Sequence, residues 1–146
     1  MSIIFVCEGV KRPKIKSKQI TNWLNYIIDS YNKLPGNLTY IFCDDHYLIE
    51  INKNFLKHDF YTDIITFDYS LENIVSGDLY ISLDRVYENS QIFEVSKENE
   101  LLRVIVHGML HLLGFGDKSA QEKKIIRELE DQSLKLFKDK GYGYIK

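Results

Sequence analysis

The sequence predicts an α+β fold: one domain, residues 1–146, in which a small mixed four-stranded sheet packs with about five helices. Three observations carry this. Strand-like runs and stretches with helical spacing of apolar residues follow one another as strand, helix, strand, helix, two strands, then helices. The chain has 146 residues, enough for one compact domain and too few for two ordinary ones. Its 45% apolar and 27% charged residues are globular proportions, and ten Tyr and eight Phe make a sizeable core available.

The first run, IIFVC (3–7), reads as a short buried strand. Residues 16–34 place Ile20, Trp23, Leu24, Ile27, Ile28 and Tyr31 at helical spacing, and the Pro-Gly-Asn that follows ends the helix. LTYIFC (38–43) is the second strand, and Asp44 or Asp45 then caps a helix over 46–56. DIITFDY (63–69) and GDLYISL (77–83), linked by the turn-forming SLENIVS, form a hairpin or neighbouring strands. DRVYENSQIF (84–93) is a helix with Asp84 near its start. Ser96, followed by Asn99 and Glu100, caps a central helix over roughly 97–113. The last helix spans 119–140 and ends at Gly141; Ile125, Ile126, Leu129, Leu136 and Phe137 lie on a face that packs over the core.

Charge and cysteine usage narrow the function classes. Nineteen basic and twenty-one acidic residues leave a net charge of −2, so nucleic acid would be held by a local basic patch, not by the whole surface. The one candidate is VKRPKIKSK (10–18), with Lys11, Arg12, Lys14, Lys16 and Lys18; a phosphate grip and a solvated loop are equally good readings of it. Cys7 and Cys43 lie far apart in apolar surroundings and read as reduced core residues. The N-terminal apolar run lacks a basic segment before it and is a strand, not a signal peptide. No run approaches the ~18 apolar residues of a membrane span. A cytoplasmic protein without a membrane partner is expected, with a monomer favoured.

The chemistry lies in VIVHGMLHLLGFGD (104–117). The central helix is apolar almost all round and therefore buried. His107 and His111 are four apart, one turn above the other on one face, where two imidazoles can bind one metal ion. Gly114 can end the helix in a left-handed conformation, and Asp117 then returns ten residues after His107 to complete a three-ligand set. Two core histidines with ordinary partners are the alternative, but a buried pair without a charge partner would waste hydrogen bonds. Three protein ligands leave a fourth position open, the arrangement of a catalytic site. His-His-Asp suits one Zn²⁺ per chain and tolerates Ni²⁺ or other divalent ions. A zinc peptidase would carry its glutamate base where Gly108 stands, so the peptidase reading loses its proton acceptor.

HGMLHLLGFGD resembles the signature of the YbeY family, H-G-x-L-H-L-x-G-Y-D-H. INKNFLKHDFYTDIITF (51–67) resembles its L-N-x-x-Y-R…T-D-V-L-S-F segment, and SGDLYIS (76–82) resembles its G-D-I-x-I-S. Order and spacing agree over roughly residues 38–130. The resemblance implies a metal-dependent, single-strand-specific endoribonuclease. It would act in maturation of the 16S rRNA 3′ end and in ribosome quality control, with ribosomal RNA and the small ribosomal subunit as partners. It also implies a metzincin-like site on the central helix, with His107, His111 and Asp117 as the metal triad. Three positions depart from the pattern. The family's third histidine falls at Asp117, with Gly116 where its aspartate would be, and its basic residue falls at Leu56.

Neighbouring side chains extend this reading. His58, beside Lys57, is the candidate to supply the charge or proton shuttle that Leu56 cannot; a surface or loop histidine is the alternative, and slightly the better, reading. Thr62, Asp63 and Asp78 read as structural, because Thr and Asp at strand starts bond nearby backbone N–H groups; a contact to a ligand histidine is the alternative. A zinc metallopeptidase and a non-catalytic ribosome-assembly factor with a structural metal are the competing functions. The latter requires a fourth ligand, for which Asp45, His46 and His58 are available.

Overall fold

The computed structural model describes residues 2–56 and 62–140. Its elements are β1 (Ser2–Cys7), α1 (Ser17–Ser30), β2 (Leu34–Cys43), α2 (Asp45–Leu56), β3 (Ile64–Asp68), β4 (Ile74–Ser82), α3 (Leu83–Ile92), α4 (Lys97–Leu112) and α5 (Ala120–Asp139). The strands form one sheet in the order β1-β2-β4-β3. β1 and β4 both run parallel to β2, and β3 is antiparallel to β4. The fold is therefore the predicted α+β domain with a mixed four-stranded sheet and five helices.

Strand alternation sorts the core onto two faces. Leu38, Tyr40 and Phe42 of β2 and Val75, Leu79 and Ile81 of β4 meet the apolar sides of α1, α3, α4 and α5 in the main cluster. Cys43 and Ile65 turn the other way and are covered by Leu48 and Ile51 of α2. Each fully buried large side chain contributes about 1.5–3 kcal/mol. The polar atoms of two aromatic side chains that enter this core are matched. The Tyr40 hydroxyl donates to the Ile105 carbonyl at 2.8 Å, tying α4 to the sheet. Trp23 Nε1 donates to the Ser133 carbonyl at 2.8 Å, and its ring meets Phe137 edge-on at 5.0 Å, seating α5 on α1.

Three element ends differ from the sequence expectation. The first helix stops at Ser30, not residue 34, because Asn32 adopts φ +59° and closes the helix with a bond to the Asp29 carbonyl. Residues 34–37 instead belong to β2: Leu34 pairs with Ile74 and Pro35 with Val75, followed by a register shift before Leu38. The irregularity accommodates a proline with no N–H to donate. A Cβ at Gly36 would lie 2.1 Å from Ser76 Oγ, 2.8 Å from Ile74 Cγ2 and 3.0 Å from the Val75 carbonyl oxygen, so a larger residue there would force β4 side chains to move. β4 correspondingly begins at Ile74, inside the stretch read as a link. On α5 the buried stripe is Ile126, Glu130, Ser133 and Phe137, while Ile125 is 42% exposed.

Candidate metal centre

α4 carries the two histidines. Its start is fixed by Ser96, whose hydroxyl accepts from the Asn99 N–H at 3.0 Å, as the sequence indicated. Its end comes at Gly114, which takes φ +106° while its N–H donates to the His111 carbonyl at 3.0 Å. The chain then doubles back. Glu122 receives the Lys118 and Ser119 N–H groups at 3.0 and 3.1 Å, and Ser119 accepts from the Glu122 N–H at 3.0 Å. This reciprocal cap pins the segment that delivers Asp117. The S-x-x-E spacing of Ser119 and Glu122 is the sequence signal for it. Gly116 fits against the same carboxylate: a Cβ there would lie 2.8 Å from Glu122 Oε2.

Three ligand atoms converge. His107 Nε2 and His111 Nε2 are 3.0 Å apart, and Asp117 Oδ2 lies 3.4 Å from the first and 3.3 Å from the second. Metal–ligand bonds of about 2.0–2.1 Å at tetrahedral angles separate neighbouring ligands by about 3.3 Å. The triangle therefore has the dimensions that three ligands of one tetrahedral ion require. Among the described residues no further histidine, cysteine or carboxylate joins this group. Asp45 is engaged elsewhere, accepting from Ser82 Oγ at 2.7 Å and from Arg85 Nε at 3.0 Å, and His46 is exposed at the start of α2. His58 and Lys57 lie outside the described residues.

The other ring nitrogen of His107 has a partner that the sequence did not reveal. His107 Nδ1 lies 2.6 Å from Glu130 Oε2 on α5. Glu130 Oε1 accepts from Arg103 Nη1 at 2.9 Å, and Arg103 Nη2 donates to Asp131 Oδ1 at 2.7 Å. Burial alone would lower the His107 pKa. The Glu130 hydrogen bond, together with the charges of Glu130, Asp63 and Asp117, outweighs it and holds His107 above the ordinary histidine value. Asp63 is shifted up, chiefly by burial and further by Glu130, with His107 pulling the other way.

The centre opens into a cleft of about 630 Å³ whose walls include Leu56, Thr62, Asp63, Asp68 and Lys118. Thus Asp63, read from sequence as structural, faces the same space as the ligands. Asp78 does not: between Gly77 and Leu79, which pack toward α4, alternation turns it to the opposite side of β4. The basic loop stands apart from the centre. Lys11, Arg12 and Lys14 border a different cleft of about 690 Å³ beside Lys97 at the start of α4. Arg12 is committed there, donating to the Phe5 carbonyl at 3.2 Å and to Ser17 Oγ at 2.7 Å.

Comparison with known proteins follows the same lines. The family model described as Endoribonuclease YbeY matches residues 6–138. A Bacteroides thetaiotaomicron protein of that name is 45% identical over 136 residues, covering 93% of this chain and 99% of its own. Its namesake from Flavobacterium psychrophilum is 52% identical over 116 residues, covering 80% of this chain and 83% of its own. The solution structure of TM1509 from Thermotoga maritima superposes with a TM-score of 0.63 at 25% identity, covering 99% of this chain and 97% of that one.

Proposed function

This chain belongs to the YbeY endoribonuclease family, and we propose that it hydrolyses single-stranded RNA at a divalent metal held by His107, His111 and Asp117. The observation that carries this reading is the convergence of those three ligand atoms at 3.0–3.4 Å, with no fourth protein ligand among the described residues. When bound, the metal supplies Lewis acidity toward the phosphoryl group and lowers the pKa of the attacking oxygen's proton.

The chain's own residues do the rest. His107 and His111 present Nε2, and Asp117 brings one negative charge. Lys118, exposed on the cleft wall beside Asp117, meets the phosphate backbone. Leu56 offers an apolar surface against which a base or ribose packs. Asp63, a carboxylate made more basic by burial, lines the cleft with the ligands and accepts the proton that Gly108 has no side chain to take.

Zinc is the metal best suited to a tetrahedral His-His-Asp set. The substrate is ribosomal RNA near the 16S 3′ end, reached in the small ribosomal subunit in the cytoplasm; these finer assignments rest on the family resemblance. Among the described residues no helix is long and apolar enough to cross a membrane. The test is cleavage of a labelled single-stranded RNA by wild type and His111→Ala, each reloaded with zinc. Cutting by wild type alone is expected. Equal cutting would place the chemistry away from these histidines. The Asp63→Asn protein should bind zinc normally and cut poorly.

A further inference from the structure

The buried stripe of α5 is Ile126, Glu130, Ser133 and Phe137. Its other members are apolar or small, and the stripe faces the core. A glutamate in its middle, 4% exposed, is costly to desolvate unless both of its oxygens are paired. Its surroundings give it a different task. One carboxylate oxygen is 2.6 Å from His107 Nδ1, and the other is gripped by Arg103 Nη1 at 2.9 Å. Arg103 sits one turn before His107 on α4 and is itself held by Asp131 Oδ1 at 2.7 Å.

We infer that Glu130 is a positioning residue for the metal ligand His107, and that Arg103 fixes Glu130 in turn, so that docking of α5 on α4 completes the centre. An imidazole has two nitrogens, and only the one without a proton can bind a metal. A carboxylate oxygen 2.6 Å from Nδ1, its partner oxygen held by Arg103, accepts from the ring N–H, so the proton sits on Nδ1 and the lone pair is left on Nε2, the atom aimed at His111 and Asp117. The carboxylate also locks the ring's rotation and strengthens the nitrogen as a donor. Arg103 satisfies the second oxygen and fixes the carboxylate beside the ring. This assignment rests on the metal-centre reading above and names what makes that centre bind.

The test separates positioning from folding. Zn²⁺ affinity is measured by competition with a chromophoric chelator for wild type, Glu130→Gln, Glu130→Asp and Glu130→Leu. Thermal melting of each is followed in excess chelator. Glu130→Gln and Glu130→Leu should bind Zn²⁺ about 10–100-fold more weakly. Glu130→Asp should recover part of the loss. Without metal, Glu130→Leu should melt lower than wild type, because Arg103 Nη1 and His107 Nδ1 lose their buried partner, whereas Glu130→Gln should melt closer to wild type. Variants that melt lower yet bind Zn²⁺ as wild type does would overturn the inference. Failure of wild type itself to bind Zn²⁺ would overturn the metal-centre reading and the inference with it.

Discussion

A Cβ added to Gly108 would lie 2.5 Å from Leu79 Cδ2 and 2.7 Å from Ile64 Cδ1. The position between the two histidines therefore faces β3 and β4, where the helix backbone rests directly on the sheet. A peptidase glutamate at this position would be driven into the packed interface formed by Leu79 and Ile64, with Thr66 Oγ1 3.6 Å from its Cβ. The missing base is a consequence of helix–sheet packing as well as of chemistry.

Gly108→Ala should consequently destabilise the fold. Overpacking costs about 1–3 kcal/mol, and the better helix propensity of alanine returns up to about 1 kcal/mol. Denaturant unfolding checks the balance. A variant as stable as wild type would mean that Leu79 and Ile64 yield freely. Gly108→Glu should fail to fold and should not acquire peptidase activity.

Asp117 makes the centre less positive than a third neutral imidazole would. In Asp117→His the limb of the pH–rate profile that rises with pH should therefore move to lower pH. RNA cleavage across pH with zinc-loaded proteins measures it. Superimposable profiles would show that the ligand's charge does not set the activity.

His107 links pH to both stability and metal binding. Its folded pKa lies above the unfolded value because Glu130, Asp63 and Asp117 outweigh burial. The folded chain thus holds this proton more tightly than the unfolded chain does. In metal-free protein the resulting stability is fully present below the ordinary imidazole pKa of about 6.5 and is lost as pH rises through the folded value. Metal binding runs the other way: Nε2 must be free of its proton, so affinity should climb through the same window. Chelator competition from below pH 6.5 upward tests this, and a flat affinity would rule out proton competition at the site.

The basic loop borders a second cleft, at the α3–α4 side of the molecule, and whether it grips phosphates or is a solvated surface is decided by salt dependence. Replacing Lys11, Lys14, Lys16 and Lys18 by alanine should lower RNA affinity. It should also flatten the salt dependence, by about 0.7 in log–log slope for each phosphate of a single strand that these lysines neutralise. Arg12 is excluded because it braces the loop to Phe5 and Ser17. An unchanged slope would identify the loop as a solvated surface.

Phe137 closes α5 onto Trp23. Phe137→Ala should cost about 3–5 kcal/mol, read as a drop in melting temperature. If α5 docking completes the metal centre, Zn²⁺ affinity should fall with it.

Much of this architecture was legible because local rules and tertiary packing agree. The α4 start at Ser96 and its stop at Gly114 are set by backbone groups within a few residues, which spacing alone can reveal. The boundary of the first helix was not legible, because Leu34 and Pro35 join β2 through a partner more than thirty-five residues away, at Ile74 and Val75. The extent of the α5 stripe was hidden for a similar reason: Ile125 and Ile126 are equally apolar, and only the docked helix decides which is buried.

By itself the sequence determined the chemistry of the candidate site: two imidazoles one helical turn apart, a glycine to end the helix, and a carboxylate returning at Asp117. Those relations are local, and the geometry of one helix and one turn enforces them. Tertiary structure alone decided what surrounds them. Glu130 is 23 residues from His107 along the chain and 2.6 Å from it in space, and Asp63 reaches the cleft from the start of another strand. No periodicity encodes such meetings. They depend on how α5 and β3 close against α4, and that closure is set by the whole core.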